Sequence, residues 1–361
     1  MLKRVGKNKW IIISLIFLTC IVFALAYMNK NGNLSEITNV APNKPTLNSP
    51  TDDVSFYGKS NASTSGESYL YVTGSFVQTV RKCDTDLRYI NQTENYFSNI
   101  YRAYVYGDYI YVGYYPPYSK INVFDKNTLA FIGATINLSG YIYDVYVDED
   151  YIFAGGEEIQ SVWQFNRSTL AYINKTESYG GTIWKINGDD DYIYVGGVTT
   201  NTVRKYDRHT LAYINETPRY GGTVRAMVLD DDYIYVGGYT NQSICKYNKN
   251  TLEFVNATSN YKGIVLTISD DGDYLYVAGG RTGLNCKKYN KSTLAYVGAT
   301  ETYGDNIYTS YVDDEYLYLG GVTSLAANDG YVKKYNKTSL AYINGTDVYS
   351  GSIYTVTSSH N

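Results

Sequence analysis

The feature that most constrains this chain is a short phrase that its sequence repeats. The nine residues DDDYIYVGG at 189–197 return unchanged at 230–238, which is 41 positions later. Looser copies bring the number to seven, at steps of 40 to 42 residues. The copies of the YIYVGG part begin at Tyr69, Tyr109, Tyr151, Tyr192, Tyr233, Tyr274 and Tyr316. Self-similarity at a fixed period of this length indicates a repeat architecture, in which each unit packs against the next.

A single repeat has the composition of four short strands. In the unit from Gly222 to Thr258, apolar and polar residues alternate over runs rich in Val, Ile, Tyr and Thr, and clusters of Asp, Asn and Gly separate the runs. The pattern predicts strand a at 223–229, strand b at 233–238, strand c at 243–247 and strand d at 252–258. Because the turns are too short for a crossover helix, each repeat is predicted to be an antiparallel meander.

Four strands in about 40–45 residues are typical of a propeller blade, whose two apolar faces each need a neighbour. We therefore predict an all-β fold over residues 67–361, a seven-bladed β-propeller of four-stranded antiparallel blades. No strand a precedes Tyr69, whereas the chain finishes on an additional strand-like segment, GSIYTVTSS at 351–359. The C-terminal strand is accordingly predicted to complete the first blade.

Two turn positions alternate between related residues. At the end of strand d, asparagine alternates with glycine, which predicts a backbone position with positive φ. In the c–d turn, aspartate alternates with asparagine, which predicts an Asx-turn. The strand d positions are Asn91, Gly133, Asn174, Asn215, Asn256, Gly298 and Asn344, and the c–d positions are Asp125, Asn166, Asp207, Asn248, Asn290 and Asn336.

The order of a strand, an acidic turn, YIYVGG and a strand ending in KYN resembles the YVTN-type propellers of archaeal surface-layer proteins, with kinship to WD40-like blades. The resemblance covers roughly Tyr69 to Ser359, and it implies a propeller fold on the cell surface. This chain differs from that family in writing YVGG in place of Val-Thr-Asn and in its heavy use of tyrosine.

The N-terminus has the pattern of an export signal. A basic region at 1–9 precedes an uncharged apolar run at 10–27, which is long enough to span a bilayer as a helix. Trp10 and Tyr27 favour a retained anchor with a cytoplasmic N-terminus, whereas Ala24 to Ala26 fits a signal-peptide cleavage site, so that both fates stay open. Residues 28–66, rich in Asn, Ser, Thr and Pro, are predicted to be a flexible tether. The propeller is therefore predicted to lie outside the cell, either anchored or secreted.

Charge and side-chain chemistry exclude several classes of function. Without the four cations of the N-terminal region, 27 Lys and Arg face 35 Asp and Glu, a net charge of −8, which argues against nucleic acid as a partner. The chain has two histidines, His209 in a c–d turn and His360 at the end, so that histidine-dependent triads and most zinc sites are excluded. We predict no catalytic residue, no metal and no cofactor. The acidic a–b turns are predicted to face basic c–d turns on one rim, as weak surface ion pairs.

Twelve Asn-x-Ser/Thr sequons occur in the sequence, but eight coincide with the two turn positions above. A threonine two residues beyond the strand d position recurs even where glycine replaces the asparagine, so that the repeat alone accounts for most sequons. Asn33, Asn61, Asn137 and Asn241 lie outside that rule and are the candidates for glycosylation.

The opposite rim, formed by the d–a and b–c loops, is rich in aromatic residues. One early position of each inner strand reads Tyr101, Tyr143, Trp184, Arg225, Leu266, Tyr308 and Tyr354, and the d–a loops add Tyr179, Tyr220, Tyr261, Tyr303 and Tyr349. Such side chains suit sugars, peptides or another protein, and packing between blades is the structural alternative. Two b–c loops, at 114–120 and within 322–330, break the repeat on this rim, which favours a binding role there.

These observations lead to one hypothesis and two alternatives. The first is a non-enzymatic cell-surface or envelope protein, a scaffold for adhesion that contacts a surface protein or a glycan with Tyr101, Tyr143, Trp184, Arg225, Tyr308 and Tyr354. The second is a secreted propeller-type lyase or glycan-cleaving enzyme, for which Asp144 is the only carboxylate placed at mid-depth on an inner strand. The third is a lectin-like receptor for a soluble ligand.

Overall fold

The computed structural model describes residues 68–359 apart from 77, 118, 139, 199–201, 240–243, 259–260, 282–283 and 325–328. The predictions for the N-terminal regions 1–9, 10–27 and 28–66 lie outside the described residues, as do Asn33, Asn61, Asn241 and His360. Within the described part, no helix is long and apolar enough to cross a membrane.

Seven antiparallel sheets account for the strands of the described chain, and six of the seven follow sequence order from the inside outwards. Blade 1 combines β1 (Tyr69–Gly74), β2 (Arg81–Asp84) and β3 (Tyr89–Gln92) with the C-terminal β29 (Ile353–Ser358). Blade 2 consists of β4 (Ile100–Tyr106), β5 (Tyr109–Tyr114), β6 (Ile121–Asp125) and β7 (Phe131–Ala134). Blade 3 consists of β8 (Tyr141–Val147), β9 (Tyr151–Glu157), β10 (Trp163–Asn166) and β11 (Tyr172–Lys175). Blade 4 consists of β12 (Ile183–Gly188), β13 (Tyr192–Gly197), β14 (Val203–Asp207) and β15 (Tyr213–Glu216). Blade 5 consists of β16 (Val224–Leu229), β17 (Tyr233–Gly238), β18 (Cys245–Asn248) and β19 (Phe254–Ala257). Blade 6 consists of β20 (Ile264–Asp270), β21 (Tyr274–Gly280), β22 (Lys287–Asn290) and β23 (Tyr296–Ala299). Blade 7 consists of β24 (Ile307–Val312), β25 (Tyr316–Ser324), β26 (Asp329–Asn336) and β27 (Tyr342–Gly345), with the short β28 (Tyr349–Ser350) paired to β26.

The C-terminal strand closes the ring, as the sequence predicts. β29 pairs antiparallel with β1, with Tyr71 opposite Thr357 and Val72 opposite Val356. The inner strands β29, β4, β8, β12, β16, β20 and β24 each contact the next around the axis, and β24 returns to β29. The fold is therefore an all-β seven-bladed propeller whose first blade is built from both ends of the described chain.

The hydrophobic core lies between the blades because strand b is buried on both faces. In β17 every residue after Tyr233 is buried. Tyr194 of blade 4 packs with Val224, Met227 and Val236 of blade 5, and equivalent clusters occur between the other neighbours. Each blade thus depends on its neighbours to cover its apolar side chains, which is why seven of them close into a ring.

The two glycines that end YIYVGG leave space for two close contacts, one with the next blade and one with strand a of the same blade. A Cβ on Gly237 would lie 2.4 Å from a methyl group of Val265 in the next blade, and a Cβ on Gly238 would lie 1.8 Å from the carbonyl oxygen of Thr223. The first glycine therefore lets blades approach each other, and the second lets strand a bend against strand b.

Strand a has a β-bulge at that bend in every blade. In blade 5, Val224 is opposite Gly238 and Ala226 is opposite Gly237, so that Arg225 is the extra residue. The same register shift leaves one extra residue in each of the other inner strands. The seven bulge residues are Tyr101, Tyr143, Trp184, Arg225, Leu266, Tyr308 and Tyr354, the same set that the sequence placed on the aromatic rim. Bulges redirect side chains, and here they turn them towards the axis.

The rim formed by the a–b and c–d turns, which we call the turn rim, fastens each blade to the next. Asp230 of blade 5 accepts hydrogen bonds from the amides of Asp232 and Tyr233 at 2.9 and 2.6 Å, and from the Tyr235 hydroxyl at 3.0 Å. Its carboxylate also pairs with Lys291 of blade 6 at 3.1 Å. Equivalent pairs join Asp148 to Arg208, Asp189 to Lys249 and Asp271 to Lys337. The predicted facing of acidic and basic turns is confirmed, and the pairs also connect neighbouring blades. They are not the solvated surface pairs that the sequence predicted, because the paired side chains are only 6–24% exposed.

The lysine of KYN, or of KYD at 205–207, has a repeated role of its own. The Lys205 ammonium lies 3.8 Å from the centroid of the Tyr192 ring, which opens YIYVGG, and it donates to the carbonyl of Lys249 in the next blade at 3.4 Å. Lys288 makes the same two contacts with Tyr274 and the carbonyl of Lys337. The two repeated phrases therefore meet in space, and their cation–π contact is a structural reason for their spacing.

One of the two turn predictions is confirmed and the other is wrong. Asp125 Oδ1 accepts hydrogen bonds from the amides of Asn127 and Thr128, as an Asx-turn requires, and Asn166, Asp207, Asn248 and Asn336 do the same in their turns. Asn290 accepts from the amide of Thr293. The asparagines and glycines of strand d, by contrast, lie within extended strands such as β7 and do not have positive φ. Positive φ occurs instead at the leucine of each c–d turn, with values of 60–67°. These leucines are Leu87, Leu129, Leu170, Leu211, Leu252, Leu294 and Leu340.

The recurring threonine after strand d has a backbone role. The Thr217 hydroxyl accepts a hydrogen bond from the amide of Val203 at 3.0 Å, where strand c begins. All seven repeats make this bond, and the threonine is buried in six of them. The bond explains why the threonine persists when glycine replaces the asparagine of the sequon. The candidate Asn137 is exposed, with its side-chain amide donating to the carbonyl of Pro117 at 3.2 Å.

Candidate functional site

The seven bulges bring their side chains together at one end of the channel, which we call the mouth. The Tyr101 and Tyr354 rings stack with centroids 4.3 Å apart, and the Tyr143 and Trp184 rings stack at 4.1 Å and an interplanar angle of 7°. Edge contacts join Tyr101 to Tyr143 at 5.0 Å and Tyr308 to Tyr354 at 5.2 Å. The five rings form one continuous arc from blade 7 through blades 1, 2 and 3 to blade 4. We call it the aromatic arc.

Arg225 continues the arc on blade 5. Its guanidinium carbon lies 3.5 Å from the centroid of the Trp184 ring, so that Trp184 is held between Tyr143 and Arg225. Among the residues that the structure describes, no carboxylate lies within 4.0 Å of this guanidinium. Burial lowers the pKa of Arg225, but an arginine remains charged at any physiological pH. Leu266 of blade 6 leaves a gap between Arg225 and Tyr308, so that the arc is open on one side.

One of the loops that break the repeat contributes to the arc. Tyr115, from the b–c loop of blade 2, lies 4.5 Å from Tyr101 and 4.5 Å from Tyr141 between ring centroids. The Tyr143 hydroxyl donates to Glu157 at 2.5 Å on the exposed side. The departure from the repeat therefore enlarges the aromatic surface beside blades 2 and 3.

The tyrosines of the d–a loops do not belong to the mouth, which corrects the prediction for them. Tyr179, Tyr220, Tyr261, Tyr303 and Tyr349 are buried in the clusters between blades. The Tyr261 hydroxyl donates to the carbonyl of Asn285, and Lys287 reaches back to the carbonyl of Tyr261 at 2.6 Å. For these five residues the alternative of packing between blades is correct.

Beneath the arc lies a group of three charged residues on adjacent inner strands. Asp144 Oδ1 lies 2.9 Å from Arg102 Nε, and Asp144 Oδ2 lies 3.1 Å from Lys185 Nζ. Oδ2 also accepts a hydrogen bond from the amide of Ile186 at 2.7 Å. Burial, together with the Arg102 guanidinium, lowers the pKa of Lys185 to about 8, against the opposing effect of Asp144. We call these three residues the charged triad.

The triad replaces a repeated hydroxyl. In three of the other four blades the equivalent position is Thr267, Thr309 or Thr355, whose hydroxyl accepts a hydrogen bond from a backbone amide of the following blade at 3.1–3.3 Å, and in blade 5 it is Ala226. Asp144 makes the same bond to Ile186, so part of its role is structural. Both of its oxygens are engaged by neighbouring groups, Oδ1 by Arg102 and Oδ2 by Lys185 and the amide of Ile186. Arg102 and Lys185 were not selected from the sequence, although aligning the repeats one position after the bulge reveals three consecutive charged residues.

The arc and the triad line one cavity of about 430 Å³ on the propeller axis. All seven inner strands contribute to it, and hydroxyl side chains such as Thr267, Thr309 and Ser310 form much of the wall opposite the triad. This volume lies within the range of small-molecule sites. The arrangement offers ring edges, hydroxyl groups and cations to a ligand that enters through the mouth.

The other concavity of note lies on the turn rim and has a different character. It measures about 240 Å³ between blades 5 and 6 and includes Asp230, Lys246, Asp273 and Lys291. Two of its charges are paired within the protein, as Lys291 lies 3.1 Å from Asp230. Within the described residues, no group of three or more His, Cys, Asp and Glu side chains is placed to hold a metal ion.

Comparisons with known proteins support the fold alone. No protein-family model and no curated protein sequence matches this chain. Among solved structures, the chain is similar to the computationally designed Ika8 protein, in a crystal structure described as crystal packing No. 1 in P63, with a TM-score of 0.61 and 12% identity. The similarity covers 78% of this chain and 85% of the designed one.

Proposed function

We propose that the protein is a non-enzymatic cell-surface protein, a propeller scaffold that binds a surface glycan or protein through the mouth of its channel. The observation that carries the proposal is the aromatic arc ending on Arg225. Seven equivalent bulges aim side chains at the axis, and these side chains are large aromatics in five blades and a cation in a sixth. Tyrosine, tryptophan and arginine contribute contact area and hydrogen bonds at small entropic cost, which is why they dominate binding surfaces.

The packing of the rings in the aromatic arc determines which of their groups a ligand can contact. The Trp184 ring has Tyr143 against one face and Arg225 over the ring as well, and the Tyr101 ring is stacked with Tyr354. A ligand therefore meets ring edges, phenolic hydroxyls and the guanidinium more than open ring faces. Such a surface favours a polar, hydrogen-bonding ligand over a purely apolar one.

The proposed location on the cell surface has two supports in the sequence. The N-terminal pattern of a basic region and an apolar run of bilayer length is typical of exported chains. The repeat also resembles the YVTN-type propellers of archaeal surface-layer proteins. The tether at 28–66 would then hold the ring away from the membrane.

Binding of the full-length chain to a glycan array and a peptide array tests the proposal. We expect at least one class of ligand to bind, and Trp184→Ala to weaken that binding about tenfold or more because the arc loses its central ring. Trp163→Ala is the matched control, since Trp163 stacks on Phe165 and contacts the Tyr172 ring at an angle, in blade 3 and away from the lining of the cavity.

Three outcomes would contradict the proposal. The first is an absence of binding on both arrays, and the second is equal loss of binding in the two tryptophan variants. The third is turnover of an array glycan that Asp144→Asn abolishes, which would establish the lyase or glycan-cleaving alternative.

A further inference from the structure

We infer that the ligand of the cavity is an acidic saccharide, whose carboxylate is held by Arg225 at the mouth and by the cations of the charged triad beneath it. This inference rests on the proposed function, because it names the ligand class of the same site. It goes further in predicting that the charge of the sugar, and not its hydroxyls alone, decides binding.

The cavity lining has a net positive charge, whereas the whole chain has a net negative charge. The whole protein has 31 Lys and Arg against 35 Asp and Glu. The described lining of the cavity has three cations, Arg102, Lys185 and Arg225, and one carboxylate, Asp144. Asp144 is shared by two of the cations, at 2.9 and 3.1 Å. A positive surplus in a concave, partly desolvated space attracts an anion more strongly than the same charges on an open surface.

Arg225 is held in a way that suits a carboxylate. Its planar group lies over the Trp184 ring at 3.5 Å, which fixes the guanidinium and leaves its N–H edge for a ligand. The edge of a guanidinium matches the two oxygens of a carboxylate, and a group already immobilised loses little entropy when it binds. The partly exposed Arg102 and Lys185 side chains, at 26% and 16%, supply further positive charge deeper in the channel.

The remaining lining favours a saccharide as the carrier of that carboxylate. Hydroxyl groups can donate and accept hydrogen bonds, and the wall contains Thr267, Thr309, Ser310 and Thr357 together with the tyrosines of the arc. A cavity of about 430 Å³ has room for one or two sugar rings. Carboxylates outside the lining also lie near the mouth. Glu157 is engaged by the Tyr143 hydroxyl at 2.5 Å, and Asp305 accepts a hydrogen bond from the amide of Asn306, whose side chain contacts the Tyr308 hydroxyl.

Titration calorimetry on the full-length chain tests the inference with three probes at low salt. They are a digalacturonate, the neutral digalactose of the same size, and a dipeptide of two glutamates. We expect the acidic sugar to bind at least about tenfold more tightly than the neutral sugar and the dipeptide. Arg225→Gln should weaken binding of the acidic sugar about tenfold or more, and Arg225→Lys should restore part of the loss because the charge returns without the planar fork.

The matched control is Arg88→Gln, which removes one positive charge from an exposed c–d turn on the turn rim and should change affinity less than about twofold. A thermal melt of each variant confirms that the ring is intact. Equal affinity for the acidic and neutral sugars, or an unchanged affinity in Arg225→Gln, overturns the inference and leaves the proposed binding function standing. Preference for the acidic dipeptide overturns the saccharide class. If no probe and no array ligand binds, the proposed function itself fails.

Discussion

The two ends of the propeller channel come from the same repeat, but they differ in how closely they follow it. On the turn rim, equivalent positions hold equivalent chemistry in successive blades, with an aspartate of one blade paired to a cation of the next. At the mouth, the equivalent bulge position varies between tyrosine, tryptophan, arginine and leucine. Closing a ring places the same demand on every junction, so a repeated contact indicates a structural role. A position that varies while its backbone geometry is kept is available for another purpose, which is the basis for proposing a binding site at the mouth.

The largest effect that this comparison predicts is on stability. Asp230→Ala removes the acceptor for two turn amides, for the Tyr235 hydroxyl and for Lys291 of the next blade. We expect the free energy of unfolding to fall by about 2–4 kcal/mol, measured by chemical denaturation, because the two amides and the Tyr235 hydroxyl lose their acceptor together, whereas Lys291 keeps its pair with Asp270. Ligand binding at the mouth should stay unchanged after correction for folding.

The control for this variant is its neighbour. Asp231 is exposed in the same turn, and Asp231→Ala should change the free energy of unfolding by less than about 0.5 kcal/mol. Burial acts to raise the pKa of Asp230, but the amides of Tyr233 and Asp232 and the Lys291 ammonium hold it below the usual value. The folded-state pKa is thus below the unfolded one, so the stabilisation is complete above about pH 4 and is lost as pH falls through the folded-state pKa. Equal destabilisation by the two variants would mean that the turn rim does not fasten the blades.

A second prediction concerns the leucine of the c–d turn. Leu252 is buried at 2% exposure, yet its φ is 62°, a conformation that costs an L-residue about 1–2 kcal/mol. Leu252→Ala should destabilise by about 2–4 kcal/mol through lost burial. Leu252→Gly should be the more stable of the two by about 1 kcal/mol, because glycine adopts positive φ without strain.

Leu275 is the control position, where the glycine variant and the alanine variant should have the opposite order of stability. It is fully buried in β21 and does not have positive φ, so Leu275→Gly should be less stable than Leu275→Ala. Urea unfolding of the four variants checks both orderings. If glycine is the worse substitution at both positions, positive φ at Leu252 is not a source of strain.

The fold was largely predictable from the sequence because its determinants recur. The 41-residue spacing, the alternation around Tyr233 and the spare segment at 351–359 together predicted the number of blades, the strand order and the closure by β29. Strand bounds in blade 5 agree within two residues, since alternation marks the middle of a strand better than its ends. The positive φ was assigned to the wrong residue because asparagine and glycine are the usual occupants of that conformation, whereas here burial of Leu252 compensates for the strain.

The candidate site was predictable only in part. Periodicity identified the bulge residues as a set facing one rim, but the bulge itself depends on how strands pair, which no single strand reveals. The stacking of Tyr143 on Trp184 and the burial of Tyr261 depend on side-chain packing between blades that are separated by a full repeat. Asp144 was selected as a candidate carboxylate, whereas its neighbours Arg102 and Lys185 become partners only when three strands lie side by side.

The smallest predicted effect distinguishes the two ends of the channel by pH. The turn rim depends on carboxylates and weakens in acid, whereas the mouth depends on cations, of which Lys185 has a pKa lowered to about 8. Raising the pH from 7 to 9 should therefore weaken binding of the acidic disaccharide roughly threefold, because one of three cations in the cavity loses its charge while Arg102 and Arg225 keep theirs. The loss of affinity should not come from unfolding, since a lysine whose folded-state pKa lies below the unfolded one contributes more favourably to folding as pH rises from about 8 to 10.

Calorimetric titrations at pH 7 and pH 9 measure the change in affinity. The Lys185→Met variant should bind more weakly than the wild type at pH 7, and its affinity should be the same at both pH values. A wild-type affinity that is constant from pH 7 to 9 would show that Lys185 does not contribute to the anion site, and the role of the cations would then fall to the two arginines.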